Sequence, residues 1–417
     1  MKILWLSHLL PYPPKGGVQQ RSYNLLREVA SQHEVWLLAF NQVSLLPKLE
    51  QIEEARHELK KICKGVEVVN IPSDASRWRW LWLVIHSLFT LAPYTLNWLK
   101  SQEMRNKLRE QVGRTRFDLI HFDTISLAVY AGDVGATPKV LNHHNIESDM
   151  MYRRSMKDQN VLKKSYLFIE ANKLRSCEKR LAPEFDLNFT VSDLDRRRLV
   201  SIAPGIHTAV IPNGTDTSFF SPSRHVHPKP KSLIFAGGMK WYPNRDAMLF
   251  FFREVWPLLK KVEPESTFTV IGRLPPPEIV QLSQTDKSIK VAGFVEDVRP
   301  LIAEAEIYVC PIRDGGGTRL KILDALAMGK ALVSTSIGYE GLELVPEHDL
   351  LVADTPVEFV KQIKRLMEDH GLRERLQTNG LETIRKKYGW EHIGQELKRC
   401  LCEFETSRSL KTLQEKL

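Results

Sequence analysis

The stretch GGGTRLKILDALAMGKALVST, Gly315 to Thr335, decides the fold. Three glycines run into a segment whose Ile322, Leu323, Leu326 and Ala327 share one face at the helical period of about 100° per residue. Gly329 ends that helix, and Ala331–Thr335 reads as an apolar strand. With Glu306–Pro311 as the preceding strand, Arg313–Gly317 becomes a loop that follows a strand, and Thr318–Met328 the helix. Strand, glycine turn, helix and strand together form the repeating unit of a parallel sheet. Glycines let backbone amides approach a ligand with no Cβ in the way. A helix start adds unpaired N–H groups and a partial positive charge. That combination suits a phosphate, with Arg319 in the first turn beside it. Lys321 and Asp324 fall together on the flank opposite the apolar face, where a carboxylate can accept from ribose hydroxyls. A nucleoside diphosphate is the natural ligand. A plain glycine turn followed by an i,i+3 surface pair is the other reading of the same residues.

The same grammar extends in both directions. Strands are expected at Ile3–Ser7, Glu34–Phe40, Val66–Ile71, Asp118–Phe122, Lys139–His143 and Leu187–Ser192, with helices such as Val18–Ser31 and one long stretch, Ile146–Leu181, between them. A second series follows: Ser232–Ala236, Thr267–Ile271, Lys290–Phe294, Glu306–Pro311, Ala331–Thr335 and Leu350–Ala353. Continuous apolar strands alternating with helices imply parallel sheets covered on both faces. The expected class is α/β, with two doubly wound Rossmann-like domains facing a central cleft: residues 1–210, residues 211–389, and a C-terminal helix, 390–417, packing back on the first domain. Ile211-Pro212-Asn213-Gly214 is turn chemistry, and the Pro-rich Ser221–Ser232 reads as linker. In such sheets ligands sit beyond the carboxyl ends of the strands.

Bulk properties narrow the class. The chain has 417 residues, 43% hydrophobic and 26% charged, with a net charge of +9 that favours an anionic partner. Five cysteines with no Cys-x-x-Cys spacing make a poor disulfide framework and point to a reducing, cytoplasmic compartment. The apolar start, MKILWLSHLLPYPP, has no small-residue cleavage site and reads as a first strand. Trp80–Leu99 carries no charged residue but is interrupted by Pro93, so a buried or membrane-interfacial helix pair is expected there, not a span.

HHNIES (His143–Ser148), VSDLD (Val191–Asp195), IPNGTDTSFF (Ile211–Phe220), FAGGMKWYPNRDA (Phe235–Ala247), VIGR (Val270–Arg273), the long block Gly293–Thr335 and GYEGL (Gly338–Leu342) occur in one order. Together they resemble family 4 of the glycosyltransferases, the retaining GT-B group. The resemblance implies a nucleotide-sugar donor bound by the C-terminal domain and a glycan or lipid-linked acceptor bound by the N-terminal domain. It implies no cofactor and no catalytic metal, and a role in cell-envelope or exopolysaccharide synthesis. It places Asp324 at the second Glu of the family's Glu-x7-Glu motif, the ribose contact. Gly316 stands where the first Glu would be, and Asp314 is the nearest carboxylate able to replace it as a catalytic group. The family's two phosphate-clamping cations are off their usual offsets in GGMKWYPN, so Lys240, Arg319 and Lys321 are expected to share that charge. Gly238, Arg273, Gly316, Gly317 and Thr318 complete the donor loops, with Gly16 and Gly17 of the first domain facing them. His144, after a strand end, is the second catalytic candidate; Asp123 and Glu147 are further cleft positions.

Met151–Arg180 holds nine Lys or Arg against three acids, and Arg196-Arg197-Arg198 follows. With Trp78, Trp80, Trp82 and Trp98, this half suits peripheral contact with an anionic membrane surface, while an ordinary solvated basic helix is the plainer reading. No nucleic-acid module is recognisable. A nucleotide-sugar epimerase of the same architecture and a non-catalytic nucleotide-sugar-binding protein are the alternatives to a transferase.

Overall fold

The computed structural model describes residues 1–223 and 226–414. They form two compact units: Met1–Pro212 together with the chain from Ile393, and Asn213–His392. The chain therefore passes between units inside the Ile211–Gly214 turn. Lys229–Ser232, read from sequence as linker, is already strand.

The first unit carries β1 (Lys2–Ser7), β2 (Glu34–Asn41), β3 (Gly65–Asn70), β4 (Leu119–Phe122), β5 (Lys139–His143), β6 (Leu187–Thr190) and β7 (Thr208–Val210). Their order is β3-β2-β1-β4-β5-β6-β7, and every pairing is parallel. The second unit carries β8 (Lys229–Ala236), β9 (Thr267–Ile271), β10 (Ile289–Gly293), β11 (Ala305–Cys310), β12 (Ala331–Ser334) and β13 (Leu351–Val352). These are ordered β10-β9-β8-β11-β12-β13, again all parallel. Central strands such as Ile3–Leu6 and Ile307–Cys310 are buried along their length because helices cover both faces. On one face of the second sheet Phe251, Phe268 and Phe359 interlock; on the other Ile322, Leu323 and Leu326 pack under β8 and β11. β7 escaped the sequence reading because three edge residues carry no readable period.

In each sheet the winding reverses at one place. After β1 the chain builds outward through β2 and β3, then returns to the other side of β1 with β4. β8 and β11 are related in the same way. Where the connections diverge, a crevice opens at the carboxyl ends of the strands.

One helical expectation is revised and one holds. Ile146–Leu181 is not one helix but Glu147–Lys157 and Val161–Leu181. Asn160 breaks it, its side chain accepting from the Lys163 amide at 3.0 Å as the cap of the second helix. The apolar stretch near Trp80 is a helix pair, Arg77–Phe89 and Tyr94–Trp98, parted before Pro93. No helix among the described residues is long and apolar enough to cross a membrane.

Candidate active site

In the second unit, three loops meet at the β8/β11 crevice. Gly237 and Gly238 follow β8, Gly272 and Arg273 follow β9, and Asp314–Gly317 follow β11. The first two loops are in contact: the Met239 amide donates to the Arg273 carbonyl at 2.9 Å. Gly272 has φ of 152°, and a Cβ there would fall on the Gly237 carbonyl. Gly315 and Gly317 have φ of 107° and 65°, so the peptides of this loop reverse in a way side-chain-bearing residues resist.

Arg319 caps the helix Leu320–Ala327. It was expected beside a phosphate; its guanidinium instead donates to the carbonyls of Gly315 (3.0 Å), Gly316 (2.8 Å) and Gly317. The planar fork of donors matches three carbonyls that the glycine dihedrals turn inward. Arg319 thus braces the loop from behind. Asp314 is buried; one carboxylate oxygen accepts from the Gly315 amide at 2.7 Å and the other has no partner. The Thr318 hydroxyl accepts from Asn213 Nδ2 at 2.8 Å, and Gly316, like Gly317, is half-buried.

Lys321 and Asp324 are not the solvent-facing pair of the plain alternative. Lys321 donates to Asn244 Oδ1 and lies 4.4 Å from the Phe235 ring centre. Its Nζ would be 2.5 Å from a Cβ at Gly237, so it reaches across beneath the β8 loop. Enclosure lowers its pKa to about 8. Asp324 accepts from the Thr215 hydroxyl at 2.7 Å, and burial raises its pKa to about 7. Asn244 ties this group together, its Nδ2 donating to the Gly238 carbonyl at 2.9 Å. Gly238 and Lys240 are exposed at the crevice rim, and Arg273 lies 3.9 Å over the Phe294 ring. The result is a glycine-rich strand-end crevice with one ammonium and two carboxyls enclosed.

The first unit has its own crevice, at β1/β4. Asp123 directly follows β4 and is the hub. Its Oδ2 accepts from Ser22 Oγ (2.5 Å) and Ser7 Oγ (3.3 Å); its Oδ1 accepts from Asn142 Nδ2 (3.1 Å) and faces His144 Nε2 at 3.2 Å. Hydrogen bonds and nearby imidazoles outweigh burial and hold its pKa well below the usual value. Burial depresses the His144 pKa, so the ring is neutral. An ionised Asp123 then keeps the proton on Nε2 and leaves Nδ1 as the basic nitrogen. His8, directly after β1, places Nδ1 3.7 Å from Asp123 and its ring edge-on to His144 at 5.4 Å. Arg21, fully buried, donates to Asn142 Oδ1 and to the Pro212 carbonyl, both at 2.8 Å. Desolvation lowers its pKa to about 10. Arg21 and Ser22 come from the helix Gly17–Ala30, whose cap is Gly16, so the Gly16-Gly17 turn is pinned to the Asp123 hub. His143 turns away to Asn188 Oδ1 at 3.1 Å, and burial takes its pKa to about 4. Glu147 is one turn on, its acidity weakened by burial.

His8, Asp123 and His144 are the group of potential metal ligands among the described residues, their atoms within 4.8 Å of one another. The carboxylate lone pairs in that trio already face Ser7, Ser22, Asn142 and His144. Residues missed from sequence are His8, Arg21, Ser22, Asn142, Thr215 and Asn244. His8 carried a signal, since it directly follows the first strand; the others are polar residues of helix, strand and loop with partners far along the chain.

Residues 15–219 match the family described as Glycosyltransferase Family 4, and residues 230–369 match Glycosyl transferases group 1. A curated relative, "Uncharacterized 44.6 kDa protein in cps region" of Klebsiella pneumoniae, is 23% identical over 400 residues, covering 93% of this chain and 96% of its own. Among solved structures, sucrose-phosphate synthase from Thermosynechococcus elongatus superposes with a TM-score of 0.72 at 15% identity, covering 98% of this chain and 100% of that one. The Anabaena HepE protein in complex with UDP-glucose gives 0.65 at 16% identity, covering 97% and 100%.

Proposed function

Since the chain belongs to the family 4, group 1 glycosyltransferases, we propose that it moves a sugar from a nucleotide-sugar donor to an acceptor with retention of configuration and without a metal. The observation that carries this reading is the β8/β11 crevice, where Lys321, Asp324 and the loops at Gly237 and Gly315 converge. In the proposed mechanism the diphosphate sits on the loop amides and the Lys321 ammonium, which stabilise the charge that develops as the sugar leaves. Arg319 holds the loop in shape and adds charge behind it. Asp324, with Thr215, meets the ribose. The unpartnered oxygen of Asp314 is the acceptor offered to a sugar hydroxyl, in place of the carboxylate that Gly316 lacks. His144, held neutral and oriented by Asp123, is the group proposed for the transfer step. Two similar proteins support the setting. One relative lies in a cps region and one structure holds UDP-glucose. They favour a uridine sugar donor and a glycan or lipid-linked acceptor in envelope polysaccharide synthesis, made at the inner face of a membrane.

Calorimetric titration with UDP-, GDP-, ADP- and TDP-sugars tests the donor site, on wild type and on Lys321→Ala/Asp324→Asn. One nucleotide sugar is expected to bind wild type and to be lost from the variant. The anomeric proton coupling of product, read by NMR with and without EDTA, tests retention and metal independence. Binding of none of the donors, or equal binding by the variant, overturns the reading. Epimerised donor without acceptor points to the isomerase, and binding without turnover across acceptors to a non-catalytic protein.

A further inference from the structure

The helix Arg77–Phe89 is apolar around most of its circumference, yet only Leu83 and Ser87 are buried. Trp78, Trp80 and Trp82 are 80%, 50% and 64% exposed, Phe89 is 86% exposed, and Leu91 just beyond is 94% exposed. Trp78, Trp82, Ile85 and Phe89 recur at helical spacing and form one stripe. A helix apolar all round belongs in a core or in lipid, and a contiguous exposed apolar patch marks an interaction site.

Charge within the stretch itself is of one sign, and the adjoining Asp74 accepts from the Val43 amide at 3.1 Å. From Ala75 to Gln102 there is no Asp or Glu, while Arg77, Arg79 and Lys100 are present. The neighbouring helix Val161–Leu181 sends Lys173 Nζ to the Ser87 carbonyl at 2.6 Å, adding a cation at the carboxyl end of the Trp helix. Glu170 on that flank accepts from the Tyr94 amide at 2.7 Å with one oxygen and pairs with Lys173 at 3.4 Å with the other, which offsets that cation. A cavity of about 410 Å³ lies under the Trp helix, lined by Arg79, Trp82, Leu83, His86, Trp98 and Lys100 among others. Ser73 also lines it, with a buried hydroxyl that has no partner. Indole and leucine walls with two cations and an unpartnered hydroxyl describe a seat for a phosphate with a hydrocarbon chain attached.

We propose that this face is an interfacial anchor for an anionic bilayer. The Trp stripe lies in the boundary between headgroups and chains, and the cavity takes the phosphate and proximal chain of one anionic phospholipid. At about 1.5 Å per residue the helix is roughly 20 Å long, short of the roughly 30 Å hydrocarbon core, so it lies on the membrane. Tryptophan at the interface and basic residues at the headgroups are the chemistry such a surface selects. The inference deepens the membrane placement proposed above and does not depend on the donor chemistry.

The test is co-sedimentation of the full chain with phosphatidylcholine vesicles, with and without an equal part of phosphatidylglycerol, alongside tryptophan quenching by brominated acyl chains. Wild type is expected to bind anionic vesicles at least about 10-fold better than neutral ones, with quenched emission. Trp78→Ser/Trp82→Ser/Phe89→Ser should lose that binding, and Arg79→Gln/Lys100→Gln should lose the anionic preference about 10-fold. Nucleotide calorimetry on the same preparations reports folding and the donor site separately. Vesicle binding without nucleotide binding would sink the donor reading and leave the anchor standing. Equal binding to both vesicle types, unquenched tryptophan, or displacement by free glycerol phosphate overturns the anchor. So does a wild-type dimer that the triple variant converts to monomer, because a second copy would then cover this face. The quenching result needs no variant, so a poorly folding triple variant leaves the proposal exposed to refutation.

Discussion

Lys321 and Asp324 show how much one turn of helix is altered by its enclosure. On a bare helix they would be an i,i+3 ion pair worth a few tenths of a kcal/mol. Enclosed, each pays desolvation, and their pKa values move toward each other, to about 8 and about 7. A bound diphosphate would restore the ammonium, so binding should take up a proton and weaken as pH rises through about 8. Calorimetry in buffers of differing ionisation enthalpy checks this. Lys321→Met should flatten the profile and weaken nucleotide binding about 10- to 100-fold, the loss of one charged hydrogen bond. For Asp324 the sign is opposite to that of an ordinary salt-bridged acid. Its folded pKa is raised above the unfolded value, so the stability it contributes is present in acid and disappears as pH rises through about 7. Asp324→Asn should therefore gain on the order of 1 kcal/mol above neutral pH while losing nucleotide affinity. A thermal melt that falls instead would show that the carboxylate form is the stabilising one.

At the scale of elements, the loops are shaped by backbone contacts that tolerate no side chain. Gly272 approaches the Gly237 carbonyl at positive φ, and this contact sets the β8 and β9 loops at one height on the crevice. Gly272→Ala should cost several kcal/mol through combined clash and strain, with the loss seen as an earlier melting transition of the second unit. The helix break at Asn160 is a milder device: Asn160→Ala removes one cap and should cost about 1 kcal/mol without moving the donor site. The helix Glu147–Lys157 begins against Glu178, whose carboxylate accepts from the Ser148 amide at 3.1 Å and from its hydroxyl. The region after β5 is thus set by a residue thirty positions further on, with burial raising the Glu178 pKa to about 7.

For the whole molecule, the first unit is discontinuous. The helix Trp390–Gln414 begins in the second unit, and from Ile393 it belongs to the first. Gly394 lets it close on Glu28, where a Cβ would strike the Glu28 side chain, and Lys398 lies 3.7 Å from the same carboxylate. Truncation after His392 should lower the melting transition of the first unit and leave that of the second in place, as scanning calorimetry with a bound nucleotide to mark the second unit would show. A single shifted transition would mean that the two units melt as one. Twelve of the thirteen strands among the described residues were legible as apolar runs, because a strand covered on both faces must be apolar at successive positions. The glycine loops were legible too, because unusual dihedrals and close approaches demand a particular residue. Sequence by itself therefore determined the two parallel sheets, the turn at Pro212–Asn213 and the glycine loops. Only the tertiary structure decided that Arg319 braces its own loop, that Asp123 gathers Ser7, Ser22, Asn142 and His144, and that the Trp helix stays uncovered. Each of these depends on partners brought together by the winding of the sheets, and a polar side chain carries no local mark of the distant group that will satisfy it.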